Sequence, residues 1–78
     1  MNSLEKLIHF LEELEERKIF FRLGKIRDSI LVEIAVPGER WEVEFFADGQ
    51  VEVERFYSRG DGLSDETELE ILFRDFSD

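Results

Sequence analysis

Glu42, Glu44, Glu52 and Glu54 stand at alternate positions in the stretch from Trp41 to Tyr57, WEVEFFADGQVEVERFY, and Glu33 has the same setting in the apolar run before it. Carboxylates grouped in this way suit three chemistries. In a cleft, a pair can divide the roles of general acid and base. With suitable loop spacing they hold Ca²⁺ or Mg²⁺, which take oxygen ligands. On an open surface they attract a cationic partner. The spacing points to the third. No calcium-loop pattern is present, and Asp61 to Asp65 lacks the alternating acids such a loop requires. A flat sheet face has no walls to desolvate a carboxylate for acid/base work. The expectation is therefore no catalytic residue, no metal ligand, no cofactor and no enzyme, with a contact surface in their place. The bland alternative is a solvated outer face whose long side chains splay apart.

The elements that must position these glutamates follow from periodicity. Alternation at period two marks a strand with one buried face. Trp41, Val43 and Phe45 fall on one side and Glu42, Glu44 and Phe46 on the other. After the turn, Val51 and Val53 alternate with Glu52 and Glu54. Directly opposed residues of an antiparallel pair share a face, so the loop length can be tested. A two-residue Asp48-Gly49 turn would set Val43 opposite Glu54 and mix the faces. A three-residue loop, Ala47-Asp48-Gly49 with Gly49 left-handed as a bulge, pairs Phe45 with Val51, Val43 with Val53, Glu44 with Glu52 and Glu42 with Glu54.

Upstream, Asn2 to Lys18 reads as a helix with Asn2 as N-cap, Glu5 completing a capping box, and Leu4, Leu7, Ile8, Leu11 and Leu14 as its apolar stripe. Glu13 and Arg17 have the favourable i,i+4 order. His9 points away from the stripe, and with no Ser, Cys or second His in a plausible relay it reads as a surface histidine. Ile19–Leu23 and Ile30–Val36, rich in branched and aromatic residues, read as two strands joined through Gly24 to Ser29, with Phe21 and Leu23 inward. A turn centred on Gly38-Glu39 would oppose Val36 to Trp41, Ile34 to Val43 and Val32 to Phe45. Ser58 to Leu63 reads as a loop, within which Arg59-Gly60-Asp61 is taken as a turn. Ser64 or Asp65 then caps a helix through about Phe76, with Leu69, Leu72, Phe73 and Phe76 as its stripe and Ile71 off it. The fold class is α+β: a two-layer αββββα domain over residues 1–78, a four-stranded antiparallel meander with both helices on one face.

Composition bounds the function. A 78-residue chain buries only about 60 to 65% of its unfolded surface, which leaves little room for an enclosed active site. Eight Phe, one Trp and one Tyr supply a dense core and argue against disorder. With no Cys, disulfides and thiolate metal sites are excluded. No apolar run reaches membrane-spanning length, and Met1 to Glu5 lacks the basic-then-apolar pattern of a secretion signal. The chain is expected to be soluble, unprocessed and cytoplasmic. Twenty acidic against ten basic residues leave a formal charge of -10, which disfavours nucleic acid and anionic membranes and favours a basic protein partner.

In these registers the second sheet face gathers Leu31, Glu33, Glu42, Glu44, Phe46, Glu52, Glu54 and Phe56, with Phe20 and Arg22 on the edge strand. Glu33, Glu44 and Glu52 are expected side by side. Like charges directly opposite destabilise a sheet by a few tenths to about 1 kcal/mol per pair, so stability alone would alternate the signs. The apolar Leu31, Phe46 and Phe56 beside the acids look like the anchors of a contact patch. The expected partner-binding set is Glu33, Glu42, Glu44, Phe46, Glu52, Glu54 and Phe56.

The run Pro37-Gly38-Glu39-Arg40-Trp41-Glu42-Val43-Glu44-Phe45-Phe46-Ala47-Asp48-Gly49, followed by Val51-Glu52-Val53-Glu54 and an acidic C-terminal helix, resembles small bacterial immunity-type proteins. These accompany toxins used in contact-dependent or polymorphic inter-bacterial competition. The resemblance covers most of residues 20–78. It implies a cytoplasmic inhibitor that blocks a toxin, commonly a basic nuclease domain, by covering its substrate surface. It transfers no functional residue; the acidic face is read from the residues themselves. The leading expectation is thus a non-enzymatic immunity protein, monomer or dimer, that neutralises a cationic toxin through an acidic open sheet face. The alternative is a homo-oligomeric structural module that buries the Phe20, Leu31, Phe46 and Phe56 face against itself.

Overall fold

The computed structural model describes residues 2–57, 60–64 and 66–76, with side chains described at 2–56, 66–67 and 69–76. In chain order the elements are α1 (Ser3–Glu16), β1 (Phe20–Ile26), β2 (Ser29–Val36), β3 (Glu39–Phe46), β4 (Val51–Tyr57), β5 (Gly60–Ser64), a 3₁₀ turn (Glu66–Glu68) and α2 (Leu69–Phe76). The predicted antiparallel meander β1-β2-β3-β4 is present, and β5 extends it to five strands in sequential order. Both helices lie on one face, because Phe10 of α1 meets Phe45 of the sheet at 5.3 Å and Phe73 of α2 at 5.7 Å between ring centroids. The fold is α+β, as the alternation and the two helical stripes require.

Helix α1 starts where the sequence signals it. The Asn2 side chain accepts from the Glu5 backbone at 2.8 Å and the Glu5 carboxylate reaches back to the Asn2 amide, forming a capping box. Its end is a left-handed cap. Lys18 has φ 59, its amide donates to Glu15 O at 3.1 Å, and the Ile19 amide donates to Leu14 O at 2.9 Å. That pair of bonds is the Schellman arrangement, and Ile19 and Leu14 supply its buried apolar contact.

The buried stripe of α1 differs from the expected one. Phe10 and Leu14 are buried and Leu7 and Leu11 pack against them, whereas Leu4 and Ile8 are exposed. The helix is rotated toward α2, so that Phe10 fills the junction between sheet and second helix. In α2, Leu69 and Leu72 are buried as expected, with Phe73 and Phe76 partly so; Ile71, read as off the stripe, also packs on the core. Ser64 is the last residue of β5, and the side chain of Ser64 and the whole of Asp65, the two caps expected of the helix, lie outside the described residues.

Three connections set the registers. The β3–β4 loop forms as read: Gly49 has φ 93, its amide donates to Phe46 O at 3.0 Å, and the Phe46 amide donates to Gln50 O at 2.9 Å. Phe45, Val43, Glu44 and Glu42 oppose Val51, Val53, Glu52 and Glu54. The β2–β3 turn corrects the expectation. It is Pro37-Gly38, so Val36 opposes Glu39, Ile34 opposes Trp41 and Val32 opposes Val43. Proline fixes the first turn residue and Gly38 takes φ 77 at the second, which is the geometry of a type II turn. This moves the register by two residues, so every side chain keeps its face while its neighbour changes. In the β1–β2 connection, Gly24, Lys25 and Ile26 are strand residues opposite Leu31, Ile30 and Ser29, and the turn is Arg27-Asp28 with Arg27 at φ 51.

The segment read as a loop after Tyr57 is also corrected: Gly60 to Ser64 pairs with β4, Gly60 opposite Tyr57 and Ser64 opposite Val53. Ser58 and Arg59 lie outside the described residues. Between sheet and helices, Val32, Ile34, Trp41, Val43, Phe45 and Val53 form the sheet side of the core, and Trp41 is its largest fully buried side chain.

Candidate functional site

The outer face of the sheet carries the seven predicted contact residues, in rows set by the observed registers. One row runs Arg22, Glu33, Glu42, Glu54 across β1 to β4. The next runs Gly24, Leu31, Glu44, Glu52. Glu33 therefore lies beside Glu42 and opposite Arg22, and the expected alignment of Glu33 with Glu44 and Glu52 does not form. The slip of two residues at Pro37-Gly38 is the cause. The like-charged pairs Glu42/Glu54 and Glu44/Glu52 stand directly opposed, as the bulged loop requires.

The glutamates are not equivalent. Glu52 is exposed, while Glu33, Glu42, Glu44 and Glu54 are half-buried among their neighbours. Glu44 is held: its Oε2 accepts from the buried Ser29 hydroxyl at 2.6 Å. Glu42 has a looser ion pair with Arg40, Nε to Oε2 3.7 Å, and the Arg40 guanidinium also lies 4.3 Å from the centre of the Phe56 ring. An exposed pair of this length contributes little to stability. It does place one cation between Phe56 and the acidic rows.

The apolar members are separated. Phe20 and Phe56 share a row, with Ala35 and Arg40 between them. Leu31 stands within the second acidic row, opposite Glu44, and Phe46 lies at the far end opposite Ser29. A shallow depression of about 150 Å³ lies among Phe20, Arg22, Glu33, Ala35 and Arg40. The face thus presents two acidic rows with apolar groups at either end, and no enclosing wall.

A cluster on the other face was missed by sequence reasoning. Arg55 Nε and Nη2 donate to Glu39 Oε1 and Oε2 at 2.6 and 3.0 Å, and the Trp41 indole donates to Glu39 Oε1 at 3.1 Å. The guanidinium carbon lies 4.9 Å from the Trp41 ring centre. Its signal was parity: Glu39 precedes Trp41 by two residues and Arg55 follows Val53 by two, so both have core-facing positions. His9 is on the exposed side of α1, beside Glu12, Glu13 and Glu16. Among the described residues, no three of His, Cys, Asp and Glu form a metal-ligating group. No helix among them is long and apolar enough to cross a membrane.

Compared with known proteins, the chain matches no family model, no curated protein and no solved structure at a significant level.

Proposed function

We propose that the chain is a non-enzymatic binding protein that masks a cationic protein surface with the outer face of its sheet, in the manner of an immunity protein against a basic, nuclease-type toxin domain. The observation that carries this reading is the direct opposition of Glu42 to Glu54 and of Glu44 to Glu52 on the face that no helix covers. Each such pair weakens the sheet, and a cationic partner would convert the repulsion into attraction. Phe46 at one end, Phe56 at the other and Leu31 within the second row supply apolar contact around the charged rows. The formal charge of -10 adds long-range steering toward a basic surface.

The test compares two charge-matched double variants. The partner retained by the immobilised chain from its source lysate is identified, and its association with the pure protein is followed at increasing ionic strength. Wild-type association should slow as salt rises through the physiological range, because exposed charges act mainly on the on-rate and are screened. Glu44→Lys with Glu52→Lys should slow association at least tenfold. Glu12→Lys with Glu16→Lys, on the exposed side of α1, should change it much less. Equal slowing by both pairs would assign the effect to net charge and remove the glutamate face as the binding site.

A further inference from the structure

The large apolar side chains that the described residues leave exposed are Leu4, Ile8, Phe20, Leu23 and Ile26, and all of them belong to α1 or β1. Their placement is one-sided. Helix α1 meets α2 and the β3–β4 end of the sheet through Phe10, Arg17 and Lys6. Leu4 and Ile8, one helical turn apart, lie on its opposite flank, and Leu4 shares a cavity of about 260 Å³ with Lys25 and Ile30. Strand β1 is an edge, so one row of its backbone N–H and C=O groups has no strand beside it. The opposite edge, β5, is five residues long with two glycines, a short and blunted edge. β1 is seven residues long, and Phe20, Leu23 and Ile26 are 65%, 54% and 44% exposed.

We propose that β1 pairs with β1 of a second copy of the chain, antiparallel about a two-fold axis at Leu23, joining two five-stranded sheets edge to edge. This goes beyond the masking function and uses a different surface. The register is chosen by elimination. Opposed residues must share a face, so the axis passes through a residue and not between two. An axis at Arg22 sets two guanidinium groups opposite one another. An axis at Gly24 sets Leu23 opposite Lys25 and Arg22 opposite Ile26. The axis at Leu23 sets Leu23 against Leu23 on the helix side, Phe20 against Ile26 on the outer side, Arg22 against Gly24 and Phe21 against Lys25. Exposed apolar side chains then meet one another, with no like charges directly opposed.

The symmetric placing of exposed Phe20 and Ile26 about Leu23 supports a second copy in this place, and the register keeps the cations from standing directly opposed. Residues 17–27 hold Arg17, Lys18, Arg22, Lys25 and Arg27 and no carboxylate, in a chain whose net charge is -10. It is the stretch where two acidic molecules can approach without bringing carboxylate rows together. Its cations are partly offset, since Arg22 opposes Glu33 and Arg17 pairs with Glu13 at 3.4 Å, and the repulsion that remains between the two basic stretches adds to what salt must screen. The glutamate rows on β2 to β4 stay open in the dimer, so self-pairing and partner masking do not compete.

Sedimentation over a concentration series tests the pairing. The mass should rise from that of the 9.3 kDa chain toward twice that value. Added salt should strengthen the association, because it screens the repulsion between two copies of charge -10, the opposite of its effect on a cationic partner. Leu23→Lys, which sets two ammonium groups at the axis, should raise the dissociation constant at least tenfold, while Gln50→Lys in the exposed β3–β4 loop should leave it nearly unchanged. Because the chain has no cysteine, Leu23→Cys should cross-link to a covalent dimer under mild oxidation. Lys25→Cys should not, since the register parts two such residues by roughly 13 Å along the strands. A chain that stays monomeric throughout leaves the edge to a strand of another protein and overturns the self-pairing. So does a dimer indifferent to Leu23→Lys, or equal cross-linking of both cysteine variants.

Discussion

Arg55 holds Glu39 through two parallel hydrogen bonds and spreads its guanidinium over Trp41, so a charged pair closes one end of the core between sheet and helices. The two side chains are 22% and 15% exposed, which makes the pair half-buried and only partly screened. Hydrogen bonds to charged groups contribute about 1.5 to 3 kcal/mol, and loss of one partner leaves the other desolvated. Arg55→Ala and Glu39→Ala should each cost about 2 kcal/mol in a denaturant titration, and the double variant less than their sum. Emission of the sole Trp should shift to the red in Arg55→Ala as its cover is lost. Additive costs in the double-mutant cycle would refute the coupling.

The sequence was most informative where a rule is local and least where the packing is set by a distant element. Period-two alternation assigned both faces of β3 and β4, and the glycine at the third loop position fixed their pairing. At Pro37-Gly38 the alternation could not choose between registers two residues apart, because both keep Val32, Ile34 and Val36 inward; turn chemistry decided it, and with it the neighbours of Glu33. The facing of α1 is not legible in the sequence, because five Leu and Ile residues make a stripe wider than the contact. Phe10 turns inward in response to Phe73, which lies 63 residues further along the chain. β5, Gly-Asp-Gly-Leu-Ser, has no β-branched or aromatic residue to mark it and is defined by its pairing with β4. Arg55 and Glu39 had core-facing parity, but charged residues at such positions are noticed only once the partner opposite is known.

Gly49 permits a direct test of the loop that aligns the glutamates. A Cβ there would meet Ser3 Oγ at 3.7 Å, an ordinary contact, so the penalty for the Cβ comes from φ 93. Gly49→Val should cost about 1 kcal/mol or more, since a branched residue is poorly held at positive φ. Asp48→Asn should be mild, because the Asp48 oxygen that accepts from the Gln50 amide at 3.0 Å has an equivalent in Asn. Equal tolerance of both changes in a denaturant titration would contradict the bulged geometry.

Lys18 has the complementary situation. It takes φ 59 at the helix terminus with no glycine to relieve it, and it is exposed, so its side chain is not needed to fill space. Lys18→Gly removes the Cβ strain but adds freedom to the unfolded chain. The net gain should be about 0.5 kcal/mol, seen as a rise of roughly 2 to 4 °C in melting temperature for a domain of this size. A fall in melting temperature would show that the freedom gained by the unfolded chain outweighs the strain relieved at Lys18.

Glu52 should be destabilising where it stands. It faces Glu44 directly, and Glu44 cannot swing away without giving up the Ser29 hydroxyl at 2.6 Å. Glu52→Lys replaces that repulsion with an opposed ion pair and should raise stability by a few tenths to about 1 kcal/mol. Glu54→Lys changes the net charge equally but faces Glu42, which already has Arg40 at 3.7 Å, so its gain should be smaller. Salt distinguishes the local effect from the global one. Raising ionic strength should stabilise the wild-type chain and narrow its gap to Glu52→Lys, because screening relieves the repulsion the substitution removes. Equal gains for the two lysine variants at low salt would assign the effect to net charge. A larger gain for Glu52→Lys would identify the Glu44/Glu52 pair as a local repulsion that costs the sheet stability.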